Sequence, residues 1–178
     1  IDFDLREGLR LTAKELPIAA DSLVRVEVLS FIKGRLEGWL REQGYRHDVV
    51  AAVLAERGHN PYLASQTVKG FAPWVEREGW MDILNSYARC VRIVREFEDT
   101  FPLKPALFVE PVTEELYRAY QGAAERITAE RSIDELLKEL RSMIPAIARF
   151  FDDVLVMTEE RALRENRLAL LQRIAALP

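Results

Sequence analysis

Apolar residues recur every three to four positions along nearly the whole chain, the spacing of helices that bury one face. From Leu23 to Gln43 the recurrent set is Val24, Val28, Phe31, Ile32, Leu36, Trp39 and Leu40, and Gly44 stands where a helix would end. Asp48 is placed to cap a short helix with Val49, Val50, Val53 and Leu54 facing inward and Gly58 after it. Asn60-Pro61 reads as a cap followed by a first-turn proline, where the missing N–H has no helical partner to lose. That helix is predicted to reach the region of Gly70, with Pro73 barring a simple continuation.

The second half repeats the theme. Glu78 to Glu98 reads as a long amphipathic helix with Trp80, Leu84, Tyr87, Val91 and Val94 on one side. Phe101-Pro102-Leu103-Lys104-Pro105 then breaks the period and makes residues 101–111 the best linker candidate. Thr113 can cap a helix from Glu114 onward, with Leu116, Tyr120 and Ile127 recurring, and Ser132-Ile133-Asp134-Glu135 has the spacing of a capping box. Pro145 predicts a kink or two consecutive helices, and Thr158-Glu159-Glu160 opens the last helix with carboxylates where its dipole favours them. The pattern holds no convincing strand and no internal repeat. It predicts an all-α helical bundle over residues 23–178, with residues 1–22 leading in from a preceding part of a longer chain.

Composition narrows the function more than the fold. The chain has 178 residues, 49% of them apolar and 30% charged, which suits one or two folded domains and not a disordered tail. No apolar run approaches the roughly 18 to 20 residues that span a bilayer, so no membrane partner is expected. Ile1-Asp2-Phe3-Asp4 has neither the basic start nor the apolar block of a signal peptide, and reads as a cut through a longer protein. The single Cys90 rules out an internal disulfide framework and a cysteine zinc site, and fits a reducing cytoplasm. His47 and His59 are too few for a metal cluster, so no metal and no cofactor are expected in this segment. There is no phosphate-cradling glycine loop, zincin pattern or nucleophile elbow, and no catalytic residue is assigned. The formal charge of −4 argues against a sequence-independent grip on nucleic acid, DNA included, so any RNA contact must come from a local basic patch.

Three places could supply chemistry. On the last predicted helix, Leu163, Leu170, Leu171, Ile174 and Leu177 share a side with Arg167, and a buried arginine needs a partner. Asp152 and Asp153, just upstream, are the expected carboxylates of a structural ion pair, with RNA contact by Arg167 the alternative; Asn166 beside it could bridge neighbouring backbone. On the long middle helix, Arg89, Arg92 and Arg95 recur at i, i+3 and i+6, with Asn85 one turn earlier. This ridge is either a solvated face balanced by Asp82, Glu96 and Glu98, or a set of guanidinium contacts to phosphates and base edges. Trp74, in the proline-containing turn, is either a core residue or a stacking surface for an unpaired base. Tyr45 and Arg41 are weaker candidates of the same kind, and Lys69 and Arg77 would be peripheral phosphate contacts.

Four segments in order carry a family resemblance: Leu40-Arg41-Glu42-Gln43-Gly44-Tyr45 with Asp48 to Ala55, Leu84 to Ile93, Pro105-Ala106-Leu107-Phe108 with Glu110-Pro111, and the closing run Phe150 to Leu171. Together they resemble the C-terminal DALR-type anticodon-binding domain of the bacterial glycyl-tRNA synthetase beta subunit, or of a fused alpha-beta chain. The family's central helix often carries a Lys-Arg pair and a downstream Asn; here Ala88-Arg89 and Arg92 occupy those places. The resemblance implies a parent glycine–tRNA ligase that uses ATP and Mg²⁺ at an active site in the alpha subunit, or in an alpha-like part, with none of its residues here. It implies that this segment docks the glycine tRNA anticodon loop and reads its cytosines. The alternatives are the same fold in an arginyl- or cysteinyl-type synthetase, and a helical protein-interaction module that binds no RNA.

Overall fold

The computed structural model describes residues 1–17, 21–127 and 132–177. These residues form eight α-helices and one short 3-10 turn, with no strand among them, so the chain is all-α. It divides into two compact units, Ile1–Glu76 and Arg77–Pro178.

The first unit holds α1 (Leu5–Thr12), α2 (Ser22–Glu42), α3 (His47–Arg57) and α4 (Pro61–Val75). Its core is Leu40, Val49, Val50, Val53, Leu54, Ala64 and Val68, with Leu36, Tyr45, Phe71 and Val75 packed against them. Two polar devices fix the chain at α4. The Asn60 side-chain oxygen accepts the Leu63 N–H at 3.1 Å, while its amide donates to Asp2 at 2.6 Å. The Leu5 N–H donates to the His59 carbonyl at 2.8 Å, which anchors α1 beside the same cap.

Several sequence expectations change here. On α2 only Leu40 is fully buried; Val24, Val28, Phe31 and Trp39 are exposed, so the apolar set spreads round the helix and only part of it meets α3 and α4. Gly44 does terminate α2, at φ +88°, a left-handed geometry that suits a residue without Cβ. The α3 cap position is Arg46, not Asp48; helix begins at His47, and Arg46 instead clasps the Asp48 carboxylate at 3.1 and 2.7 Å. That guanidinium holds the Asp48 carboxyl below its ordinary range. Finally, α4 runs through Pro73 to Val75. The N–H that proline lacks would have served the carbonyl of Lys69, an exposed residue where water can substitute, and the last turn is held by Trp74, 2% exposed.

The second unit holds α5 (Trp80–Val94), a 3-10 turn at Pro105–Leu107, α6 (Pro111–Arg126), α7 (Ile133–Asp153) and α8 (Arg161–Ala175). The capping box at the start of α7 is present in full: the Ser132 hydroxyl accepts the Glu135 N–H at 3.2 Å and the Glu135 carboxylate accepts the Ser132 N–H at 3.0 Å. α7 passes through Pro145 as one helix, not two. Pro145 and Arg141, whose carbonyl loses its donor, both lie on the exposed side, while Met143, Ala146, Ile147 and Phe150 hold the other side in the core.

At the heart of this unit, α8 is buried over the unbroken run Asn166–Leu171, well beyond the single stripe that periodicity indicated. α5 and α6 both pack on it. Residues 99–104 also lie along it: the Asn166 amide donates to the Lys104 carbonyl at 3.1 Å and its oxygen accepts the Lys104 N–H at 2.7 Å. Gln172 does the same one turn and a half later, accepting from the Phe101 N–H at 3.0 Å and donating to the Asp99 carbonyl at 2.8 Å. The Tyr87 hydroxyl donates to the Ala175 carbonyl at 2.8 Å and ties α5 to the end of α8.

Candidate nucleic-acid interface

α5 follows Gly79, which takes φ +82°, and ends at Val94 with Arg95 as its cap, four residues short of Glu98. Its buried residues are Ile83, Cys90 and Val94, with Tyr87 half-buried between them. The predicted stripe is therefore rotated: Leu84 is 42% exposed and belongs to the outer face. Cys90 lies deep enough that burial pushes its thiol up to about 12, which leaves it an inert core group.

The outward face carries the ridge. At about 100° per residue, Asn85, Arg89 and Arg92 fall within about 60° of one another, and Arg95 lies about 60° beyond Arg92. All four are exposed. Five other arginines of this unit are neutralised by carboxylates: Arg118 by Glu114, Arg126 by Glu139, Arg149 by Glu115, Arg161 by Glu165 and Arg167 by Glu110, while Arg141 and Arg173 are exposed without an ion pair among the described residues. Arg89, Arg92 and Arg95 make no ion pair among the described residues, Asp82, Glu96 and Glu98 included. A solvated face balanced by its own acids is thus not what the side chains form. Three guanidinium groups sit instead on successive turns toward the C-terminal end of a helix, where the dipole favours cations.

One of them is held in place. The Arg89 guanidinium lies over the Phe151 ring, 4.0 Å from its centroid, and Phe151 rests edge-on against the buried Phe150 at 5.5 Å. The α7 end thereby supplies a platform that limits where Arg89 can point, with its donor edges left to reach outward. Nothing in the spacing of Phe150-Phe151 announced this contact, because it joins residues far apart in sequence.

The other candidates fall differently. Trp74, at the end of α4 beside the first unit's core, is 2% exposed and offers no stacking face. Tyr45 packs against the same core, while Arg41, Lys69 and Arg77 are exposed. Arg167 is a buried ion pair, 7% exposed, but its partner is Glu110 and not Asp152 or Asp153. Those two aspartates are exposed at the end of α7, and the chain turns through Val154 and Val156 into the core before α8 begins. Glu110 precedes α6, and its second oxygen accepts the Thr113 hydroxyl at 3.2 Å; Arg167 also donates to the Leu155 carbonyl at 2.9 Å. Thr113 is consequently a buried rung inside α6 and not its cap, which is Glu110 by position. With its guanidinium satisfied indoors, Arg167 has no role at the surface.

An all-α unit whose exposed helix face carries arginines without carboxylate partners has the make-up of a helical nucleic-acid-binding domain. The chain belongs to the DALR anticodon binding domain family, whose model matches residues 83–177, from the first turn of α5 to just past the end of α8. It is 34% identical over 165 residues to the glycine–tRNA ligase beta subunit of Persephonella marina, covering 90% of this chain and 23% of that protein. It is 33% identical over 177 residues to the chloroplastic/mitochondrial glycine–tRNA ligase 2 of Arabidopsis thaliana, covering 98% of this chain and 17% of that protein. The beta subunit of Acidithiobacillus ferrooxidans is 32% identical over 157 residues, at 85% and 23%. The chain thus spans less than a quarter of the length of these relatives. Among the described residues no helix is long and apolar enough to cross a membrane.

Proposed function

We propose that this chain is the anticodon-binding part of a glycine–tRNA ligase and that the outer face of α5 receives the anticodon loop of glycine tRNA. The observation that carries the reading is the Arg89, Arg92 and Arg95 ridge: three exposed guanidinium groups on successive turns of one helix, without carboxylate partners among the described residues. Guanidinium forks suit phosphate oxygens and base edges, and Asn85 adds a group that both donates and accepts. A rigid helical face suits a loop whose bases are splayed out; the deep, narrow major groove of an RNA duplex would be closed to it. The names of the relatives favour the glycine-type synthetase over the arginyl- or cysteinyl-type. In this reading ATP, Mg²⁺ and the chemistry of aminoacylation belong to the alpha subunit or an alpha-like part of the parent, which works in the cytoplasm, and this segment contributes recognition alone.

Fluorescence anisotropy of a glycine tRNA anticodon stem-loop, beside one with both anticodon cytosines replaced, tests it at low and moderate salt. Binding lost on replacement supports base reading. Equal binding to both leaves only charge attraction, and no binding to either moves the reading to a packing role within a larger synthetase.

A further inference from the structure

The second unit has an open cleft of about 470 Å³ between α6, α8 and the segment before the 3-10 turn, lined chiefly by Leu103, Tyr117, Tyr120, Gln121, Glu125 and Arg173. Its chemistry is unlike that of the core around it. α6 buries Thr113, Leu116 and Ala123, and turns Tyr117, Tyr120, Gln121 and Ala124, spaced i, i+3, i+4 and i+7, toward the cleft. The two tyrosine rings lie nearly parallel, 21° apart with centroids at 6.4 Å, and Phe108 braces Tyr117 edge-on at 5.4 Å. Both tyrosines are half-buried, and neither hydroxyl has a hydrogen-bond partner among the described residues. On the opposite wall Arg173 is exposed and makes no ion pair among the described residues.

We infer that this cleft is a second RNA contact, taking one unpaired nucleotide of the bound loop apart from the α5 ridge. Tyr117 and Tyr120 present a braced aromatic surface to the base, Gln121 and Glu125 meet its polar edge, and Arg173 meets its phosphate or lies on its ring. Each residue type has a reason. Stacking accepts any base because every base has a π-face, whereas an amide beside a carboxylate favours one with donors on its edge, such as an exocyclic amine. Glu125 also repels phosphate from its own end, which orients the nucleotide with its backbone toward Arg173. The openness of the cleft suits a nucleotide that remains part of a chain. This inference rests on the RNA-binding reading above, and adds a site that the arginine ridge does not contain.

The test crosses protein variants with abasic substitutions placed at each loop position of the stem-loop in turn. Tyr120→Leu should weaken binding by about fivefold to a hundredfold, the range for one stacked base, while Tyr120→Trp keeps a ring in place and retains it. One abasic position should produce the same loss and make Tyr120→Leu silent, a coupling that a merely unfolded variant would not show. Binding unchanged in both Tyr120→Leu and Arg173→Ala overturns the inference and leaves the ridge reading intact. So does a loss that no abasic position relieves. If the unaltered chain binds no stem-loop, cytidine monophosphate titrated against the NMR resonances of Tyr117 and Tyr120 separates the two ideas. Shifts confined to the cleft keep the nucleotide site while the anticodon reading falls, and no shifts there overturn both.

Discussion

Arg167→Met tests the account of the second unit most directly. The side chain of Arg167 is 8% exposed and that of Glu110 is 27% exposed, so substitution leaves a carboxylate that water reaches only in part. Removing one partner of a buried pair costs about 3 to 5 kcal/mol, and partial access to water places Glu110 at the lower end, about 3 kcal/mol. The Leu155 carbonyl adds little, because Leu155 is an exposed residue whose backbone can turn to solvent. Methionine keeps most of the aliphatic stem, so lost packing is a small part of the change. With a urea slope of about 1.5 kcal/mol/M, the midpoint should fall by about 2 M.

NMR peak intensities of the α8 amides through a urea titration read this transition in the unit that contains the pair. The double variant Arg167→Met/Glu110→Gln should regain most of the loss, since it strands neither charge. Asp152→Asn with Asp153→Asn should stay within about 0.5 kcal/mol of the unaltered chain, as exposed substitutions do. A cost below about 1 kcal/mol for Arg167→Met, or a double variant as unstable as the sum of its singles, would refute the assignment of Glu110 as the partner whose stranding matters.

Three further outcomes follow from the same geometry. Arg89→Ala should flatten the salt dependence of stem-loop binding by about 0.7 in log–log slope, the share of one phosphate on a single strand, and Phe151→Leu, which removes the platform but not the charge, should weaken binding about threefold with the slope unchanged; anisotropy across a salt series separates the two. Because burial raises the Cys90 thiol to about 12 from an ordinary 9.0, its contribution to stability is complete below pH 9 and is lost as pH climbs toward 12; chemical denaturation should show that decline, and thiol labelling of the native chain at pH 8 should be slow until urea is added. Ser132→Ala removes the hydroxyl that caps α7 and should cost about 1 kcal/mol, read as a lower urea midpoint of α7 amides, whereas Ser132→Asp should restore it.

How much of this was legible in the sequence depends on whether a feature is local. Some caps and stops were: Asn60, the Ser132-Glu135 box and Gly44 each act on backbone within four residues and do so in the structure, whereas Asp48 and Thr113, read as caps, lie inside their helices. Prolines misled because their effect depends on which side of the helix loses a carbonyl partner; Pro73 and Pro145 both sit on exposed sides, opposite well-buried anchors. The apolar period of α5 was visible but its phase was not, since Leu84 and Ile83 are adjacent and only the neighbouring helices decide which is covered. The arginine ridge was legible as spacing. Its lack of carboxylate partners was not, because Asp82, Glu96 and Glu98 are near in sequence and only the side-chain geometry shows that they leave it unpaired. Glu110, Phe151 and the Tyr117–Tyr120 cleft are contacts across long stretches of chain, and no window of sequence contains both halves of any of them.

The net charge of −4 and an RNA-facing role are compatible once charge is followed pair by pair. Beyond a Debye length of about 8 Å at physiological salt, a phosphate backbone meets the averaged, acidic field of the chain and gains little by approaching it. At contact the average no longer matters: Arg89, Arg92 and Arg95 act as three separate donors on one helix, while five other arginines of the unit are held by Glu110, Glu114, Glu115, Glu139 and Glu165. Such a surface has a steep dependence on shape and a shallow dependence on length of RNA. A loop that can bring phosphates to three successive positions on α5 is rewarded, and an equally charged duplex is not. With about three phosphates engaged on α5, or about four with Arg173, the log–log salt slope for a single strand is about −2 to −3, far from that of a polybasic grip. A measured slope near −5 would mean that residues outside α5 carry most of the phosphate contacts, and the sorting of paired from unpaired arginines would lose its functional meaning.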